Sequence, residues 1–134
     1  VQTLLIVEEW AVREATTKAT AAEIAQLTQM LEAMEKPGVD IVQFNALDSI
    51  FHTSIAQACG NRLIAYLTGA LRDTVERHRL SAMRALGPCP EVSNRCQAKH
   101  RRILRAISAG DADAAAAALK DHLHHTYPAS NSVW

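Results

Sequence analysis

The chain has 134 residues, which fits one domain of ordinary size, and 49% of them are apolar, enough to form a buried core. Its 14 basic and 14 acidic residues cancel, so it has no basic excess of the kind that nucleic-acid-binding domains carry. Aromatic residues make up only 4%, and with abundant alanine this composition favours helices over a β-rich fold.

Cysteine usage and hydropathy indicate a cellular compartment. The three cysteines, Cys59, Cys89 and Cys96, are an odd number without CxxC spacing, which predicts neither a disulfide framework nor a zinc ribbon. No apolar run approaches the roughly 20 residues of a membrane span. We therefore expect a cytoplasmic protein with no membrane contact.

The first half of the chain contains signals for three helices. The first is predicted over roughly residues 2–18. Thr20 and Glu23 have the spacing of a capping box, which opens the second helix, and Lys36-Pro37-Gly38 ends it. Asp40 can cap the third helix, with Gln43 at its third position. Each of these caps satisfies backbone N–H groups that a helix start otherwise leaves without partners.

The second half of the chain contains signals for three more helices. Gly60 ends the third helix, and Asn61 caps the fourth. The segment Gly87-Pro88-Cys89-Pro90 breaks the chain again, and Gly110-Asp111 combines a helix stop with a new N-cap. The three helices are predicted over about residues 62–86, 91–109 and 112–127. Because the connections are short, we predict an all-α, antiparallel bundle of about six helices.

The third predicted helix has a carboxylate on its apolar face. Apolar side chains from Ile41 to Cys59 fall on one stripe at helical spacing, and Asp48 lies within that stripe. His52, four residues later, points the same way. Burying an unpaired carboxylate costs several kcal/mol, so Asp48 must have a compensating partner.

The fifth and sixth helices repeat this anomaly. His100 lies at the centre of the stripe formed by Cys96, Ile103, Leu104 and Ile107, and His122 lies among Ala115, Ala118 and Leu119. A single histidine on an apolar face is more often a hydrogen-bonded core residue than a metal ligand. Three helices that each direct a metal-competent group inward favour a site for Zn²⁺, Ni²⁺ or another first-row divalent ion.

Several segments resemble one family. The segment Phe44–Ile55 is similar to the FxxLDxxFHxxI signature of the FCD domain, the ligand-binding C-terminal domain of FadR-subfamily regulators in the GntR family. Gly60–Leu63 is similar to its GNxxL motif, and His100–Ile107 is similar to HRxILxAI. Gly110-Asp111 and His122-Leu123 complete the resemblance in the expected order.

The resemblance implies a function and a set of ligands. The metal ligands would be Asp48, His52, His100 and His122, in a central metal and ligand cavity. The whole chain, 1–134, would be one effector-binding domain of a homodimeric transcription regulator and not an enzyme. Small carboxylates or sugar acids are the implied effectors. DNA would be bound only through an N-terminal winged helix-turn-helix domain, which this chain lacks.

Two departures from the family pattern leave the effector contacts open. Leu4 stands where an arginine usually precedes Glu8, and Lys99 replaces an acidic residue. We predict that His78 points inward with Ile64, Leu67, Leu71 and Val75, where it would contact the effector or bond a carbonyl group. Ser93 and Arg79 are weaker candidates for effector contacts. Arg72, Arg77 and Arg79 are otherwise expected on a solvated or interface face.

Two other functions are compatible with the residue pattern. A buried metal ion with open positions could serve a metal-dependent enzyme, for which His78 would be the available general base. Alternatively, the inward polar groups could pair with one another in a structural helical module. Metal analysis separates the structural module from the other two, and about 70 upstream residues forming a winged helix would favour the regulator.

Overall fold

The computed structural model describes residues 2–86 and 90–127, and the side chains of residues 2–81 and 93–127. Within these ranges the chain is all-helical, as predicted, and the residues Gly87, Pro88 and Cys89 of the predicted break lie outside them. The six helices are α1 (Gln2–Lys18), α2 (Ala21–Met34), α3 (Ile41–Ala58), α4 (Arg62–Leu86), α5 (Pro90–Ser108) and α6 (Ala112–Thr126). The predicted boundaries agree with these to within about two residues.

Local capping explains where these helices begin. The Thr20 side chain accepts a hydrogen bond from the Glu23 backbone N–H, while the Glu23 carboxylate accepts one from the Thr20 backbone N–H. Asp40 and Gln43 form the same reciprocal pair at the start of α3. Both predicted capping boxes are therefore confirmed.

Two adjacent residues form the junction between α5 and α6: Gly110 ends α5, and Asp111 begins α6. Gly110 adopts a φ of 70°, in the left-handed region, and its N–H bonds the carbonyl of Ile107. The N–H of Asp111 bonds the carbonyl of Ala106, which completes a Schellman motif. The Asp111 side chain then caps α6 by accepting from the Ala114 N–H. This tight turn sets α6 antiparallel against α5.

Helix α1 lies at the centre of the bundle, where it packs against α3, α4, α5 and α6. The apolar core draws on all six helices and includes Val12, Leu31, Phe51, Ile103 and Leu119. Along the described residues, none of the helices has the length and apolar character that a membrane span requires.

The inward face of α4 differs from the predicted one. Thr68, Arg72 and Val75 are buried, whereas His78 is exposed and its Nδ1 lies 3.0 Å from the Thr74 carbonyl oxygen. The prediction that His78 points inward is therefore wrong. Helix α4 is rotated so that Thr68 and the side chain of Arg72 face the interior. The burial of Arg72 is possible because acidic side chains on other helices neutralise its charge.

Candidate metal centre

Three helices bring the four predicted ligands together in the interior. Asp48 and His52 come from α3, His100 from α5 and His122 from α6, and none is more than 2% exposed. One donor atom from each residue lies within 4.8 Å of the donor atoms of the other three. Residues separated by up to 74 positions in the sequence thus form one compact group, because each lies on the buried stripe of its own helix.

The atoms that converge are the Asp48 Oδ1 and the Nε2 atoms of the three histidines. His100 Nε2 lies 2.8 Å from Asp48 Oδ1, and the Nε2 atoms of His52 and His122 each lie 4.0 Å from it. The two nitrogens of His52 and His122 are 3.2 Å apart. Two nitrogen ligands of a single tetrahedral zinc ion would be roughly 3.3 Å apart at zinc–nitrogen distances of about 2.0–2.1 Å. The separation of the His52 and His122 nitrogens therefore fits two ligands of one first-row divalent ion.

Hydrogen-bond partners outside the cluster determine that Nδ1 carries a proton in His52 and in His100. His52 Nδ1 lies 3.2 Å from the Glu8 carboxylate, which can only accept when ionised. His100 Nδ1 lies 3.0 Å from Gln97 Oε1, also an acceptor. In both rings Nδ1 therefore donates, and Nε2 is the nitrogen that faces the centre, the arrangement that metal-bound histidines use.

The pKa shifts of Asp48, His52 and His122 favour the metal-binding forms of these three residues. Burial lowers the pKa of His52, and burial together with the His100 imidazole holds the pKa of His122 well below its usual range. Burial alone would raise the pKa of Asp48, but the His100 imidazole and the nearby Arg72 guanidinium hold it well below its usual range. An ionised carboxylate thus lies beside the neutral rings of His52 and His122, and carboxylate and neutral imidazole are donors that Zn²⁺ or Ni²⁺ accepts.

Two arginines from α4 hold the far oxygen of Asp48. Its Oδ2 accepts from Arg72 at 3.1 Å and from Arg79 at 3.3 Å. The Arg72 guanidinium also donates two hydrogen bonds to Glu8, one from Nε to Oε1 and one from a terminal nitrogen to Oε2 at 2.7 Å. The buried carboxylates of Glu8 and Asp48 are therefore balanced by two guanidinium groups. The expectation that Arg72 and Arg79 lie on a solvated face is wrong, while Arg77 is exposed as expected.

The predicted effector-contact residues take three different positions. Arg79 reaches the cluster through Asp48, and its guanidinium lies 6.0 Å from the centre of the Tyr127 ring. Ser93 lines a surface groove of about 460 Å³ between the end of α2 and the start of α5. His78, on the exposed side of α4, lies away from the interior.

Three residues that shape the site are not among the ligands predicted from the sequence. Glu8 lies on the buried stripe of α1 with Leu4, Ala11 and Val12, an anomaly of the same kind as Asp48, so its spacing could have indicated it. Gln97 precedes His100 by three residues on the same helix face, which is a weaker signal. Arg72 had no such signal, because its buried neighbour Thr68 is also polar.

Comparison with known proteins identifies a family. The sequence matches the FCD domain family over residues 1–125, and a search of curated proteins finds no match. FCD domains are the effector-binding domains of GntR-type transcription regulators, which are not enzymes. Because the match covers nearly all of its 134 residues, the chain belongs to the FCD domain family.

Proposed function

We propose that this chain is the sensory domain of a GntR/FadR-type regulator, and that it detects a small carboxylate or sugar acid at a bound divalent metal ion. Asp48, His52, His100 and His122 would hold the ion. The observation that carries the proposal is the convergence of one carboxylate oxygen and three imidazole nitrogens within 4.8 Å of one another. Zinc and nickel suit this donor set best.

A cation would also give partners to buried polar atoms of the cluster. The Nε2 atoms of His52 and His122 are 3.2 Å apart, and the contact of His52 Nδ1 with Glu8 leaves His52 Nε2 free to accept from His122 Nε2. His122 Nδ1 is buried and has no hydrogen-bond partner among the described residues. Asp48 Oδ1 and His100 Nε2, which are 2.8 Å apart, are likewise buried without a hydrogen-bond partner among the described residues, and a bound cation would coordinate both.

The charge balance of the site favours an anionic effector. The buried carboxylates of Glu8 and Asp48 are already neutralised by Arg72 and Arg79. A divalent ion would therefore add two uncompensated positive charges to a low-dielectric interior, which a carboxylate ligand would offset. When bound, the ion supplies a Lewis acid with coordination positions beyond the four protein ligands. Arg79, whose side chain is 9% exposed, is the residue that we assign to the effector carboxylate.

Regulation would follow from unequal affinity. The proposed protein is a homodimer in which an N-terminal winged helix-turn-helix domain, outside this chain, binds DNA. An effector shifts DNA affinity only if it binds one dimer arrangement more tightly than another. Helices α3, α5 and α6 all contribute ligands, so metal and effector occupancy would constrain their relative positions.

Metal content tests the proposed site directly. The purified chain should contain one divalent ion per molecule after treatment with zinc and removal of the excess, as measured by elemental analysis. The His100→Ala variant should lose that ion, because a buried ligand is removed. His124→Ala is the matched control, since His124 is exposed on α6, and it should keep the ion. Full metal content in His100→Ala would refute the site.

A calorimetric titration tests the effector class. Citrate and gluconate should release or absorb heat with the zinc-loaded chain, whereas the neutral sugar alcohol sorbitol should not. Chelation of the metal should abolish the carboxylate signal, and Arg79→Gln should weaken it. Equal carboxylate binding with and without metal would refute the proposed role of the ion, even if the ion is present.

The competing proposal is a polar core without a metal ion. Arg72 and Arg79 already neutralise the two buried carboxylates, which favours this reading. It predicts a metal-free chain at saturating zinc and a melting temperature that chelator leaves unchanged. The two functions therefore give opposite results in the same measurement.

A further inference from the structure

Gln97 connects the ligand His100 to the end of a helix that contributes no ligand. Gln97 is 7% exposed, and its side-chain amide contacts three groups. Oε1 lies 3.0 Å from His100 Nδ1, and Nε2 lies 2.8 Å from the Leu31 carbonyl oxygen and 3.3 Å from Glu35 Oε1. Both ends of the amide are therefore engaged by buried or partly buried partners.

The C-terminal end of α2 requires the donor that Gln97 supplies. The Glu35 N–H bonds the Glu32 carbonyl at 3.2 Å, in the tighter pattern common at helix ends. It is therefore turned away from Leu31, whose carbonyl would accept it in a continuing α-helix. Gln97 Nε2 bonds that carbonyl instead, so a side chain from α5 caps α2.

The cap determines the orientation of the amide. A carbonyl oxygen and a carboxylate only accept, so the NH₂ group of Gln97 must face Leu31 and Glu35. Oε1 must then face His100, and an acceptor in that position requires the proton on His100 Nδ1. Nδ1 is thereby engaged away from the cluster, and Nε2, which lies 2.8 Å from Asp48 Oδ1, is the nitrogen that faces the metal position.

We propose that Gln97 is a positioning residue that holds His100 in its metal-binding tautomer and couples metal occupancy to the C-terminal end of α2. This proposal deepens the proposed function and rests on it only for the metal. The surface pair of Arg101 and Glu35, with an Nε–Oε1 distance of 2.8 Å, holds the second acceptor in place. A change at the Gln97 amide would therefore affect both the metal ligand His100 and the end of α2 with the loop that follows it.

Two substitutions separate the two roles of the amide. Gln97→Leu removes both donor and acceptor. Gln97→Glu keeps an acceptor for His100 Nδ1 but cannot, as a carboxylate, donate to the Leu31 carbonyl. Gln26→Leu is the matched control, because it makes the same change at an exposed position of α2.

The tautomer is read in the metal-free chain by long-range ¹H–¹⁵N NMR of labelled histidine, with His100→Ala used to assign the signal. The parent chain, Gln97→Glu and Gln26→Leu should show His100 protonated at Nδ1, and Gln97→Leu should show a substantial population in which Nδ1 is unprotonated. An unchanged tautomer in Gln97→Leu, or loss of the tautomer in Gln97→Glu, would overturn the proposal.

Zinc affinity and amide exchange give the second readout. In competition with a chromophoric chelator, Gln97→Leu should bind zinc about 10–100-fold more weakly than the parent chain, while Gln97→Glu should stay close to it. Hydrogen exchange near Glu35 should accelerate in both variants, because both lose the cap on Leu31. Equal zinc affinity in the parent chain, Gln97→Leu and Gln26→Leu would overturn the coupling.

The two proposals fail in different ways. If the parent chain binds no zinc, the proposed function fails, and the tautomer measurement still supports or overturns the role of Gln97 in positioning His100. If the parent chain binds zinc and the tautomer is independent of Gln97, the proposed function stands and the positioning role is overturned.

Discussion

Replacement of Arg72 by methionine is the sharpest test of how the polar interior is held together. Arg72 is 2% exposed and pairs with both Glu8 and Asp48. Methionine fills much of the space but leaves two buried carboxylates with less positive charge around them. Breaking a buried pair by removing one partner typically costs about 3–5 kcal/mol. That is a large share of the roughly 5–15 kcal/mol that stabilises an ordinary domain.

The lowered pKa of Glu8 gives an independent value for the stability that this buried ion pair contributes. Burial alone would raise it, but Arg72 and His52 lower it from 4.5 to about 2. A carboxylate with a lowered pKa in the folded state stabilises the fold at pH values above its unfolded pKa. For Glu8 this contribution is of order 3 kcal/mol, and it disappears as the pH falls from about 4.5 towards 2. The difference between the parent chain and Arg72→Met should therefore shrink over that window.

Urea unfolding of the chelator-treated chain at pH 7, followed by circular dichroism, measures the loss. Arg77→Met is the control, because Arg77 lies on the exposed side of the same helix, and it should change stability little. The double variant Glu8→Gln with Arg72→Met should recover part of the loss, since it removes one stranded anion. A loss below about 1 kcal/mol in Arg72→Met, or a loss equal to that of Arg77→Met, would refute the reasoning.

Three further outcomes are expected. Zinc at 100 times its dissociation constant should stabilise the chain by about 2.7 kcal/mol, a rise in melting temperature on the order of 10 °C in calorimetry, and chelator should reverse it. Thr20→Ala should cost about 1 kcal/mol in urea unfolding by removing the α2 capping box, whereas Thr17→Ala, at an exposed site, should cost less. Gly110→Ala should cost about 1–2 kcal/mol from backbone strain, because the φ of Gly110 is 70°. The added Cβ would lie 3.7 Å from the Thr16 carbonyl oxygen, so no clash contributes to this cost. An unchanged free energy of unfolding would contradict the prediction.

Helix boundaries and the four candidate ligands could be predicted because their signals are local. The capping pairs Thr20 with Glu23 and Asp40 with Gln43 lie three residues apart and act through the backbone between them. Asp48 stands out because its apolar neighbours recur at helical spacing, and a polar residue within such a stripe must be buried. The fifth and sixth helices have the same pattern around His100 and His122.

The buried face of α4 could not be predicted in this way. Its interior residues Thr68 and Arg72 are polar, so a search for an apolar stripe selects a neighbouring face that includes the partly exposed Leu67 and the exposed His78. An arginine is buried only when its charge is neutralised, and the groups that neutralise Arg72 lie on α1 and α3. That condition involves residues 64 and 24 positions away and leaves no trace in the periodicity of α4.

The sequence by itself determined six helices, their caps and the four inward-facing metal-competent residues, because each depends on neighbours within one or two helical turns. Only the tertiary structure decided what those residues face. It brought Glu8 and Arg72 together beside Asp48, and it joined Gln97 to the last turn of α2. Hydrogen-bond partners on separate helices set the charge balance, the tautomer of His52 and the orientation of the Gln97 amide that faces His100, and those partners are brought together by packing.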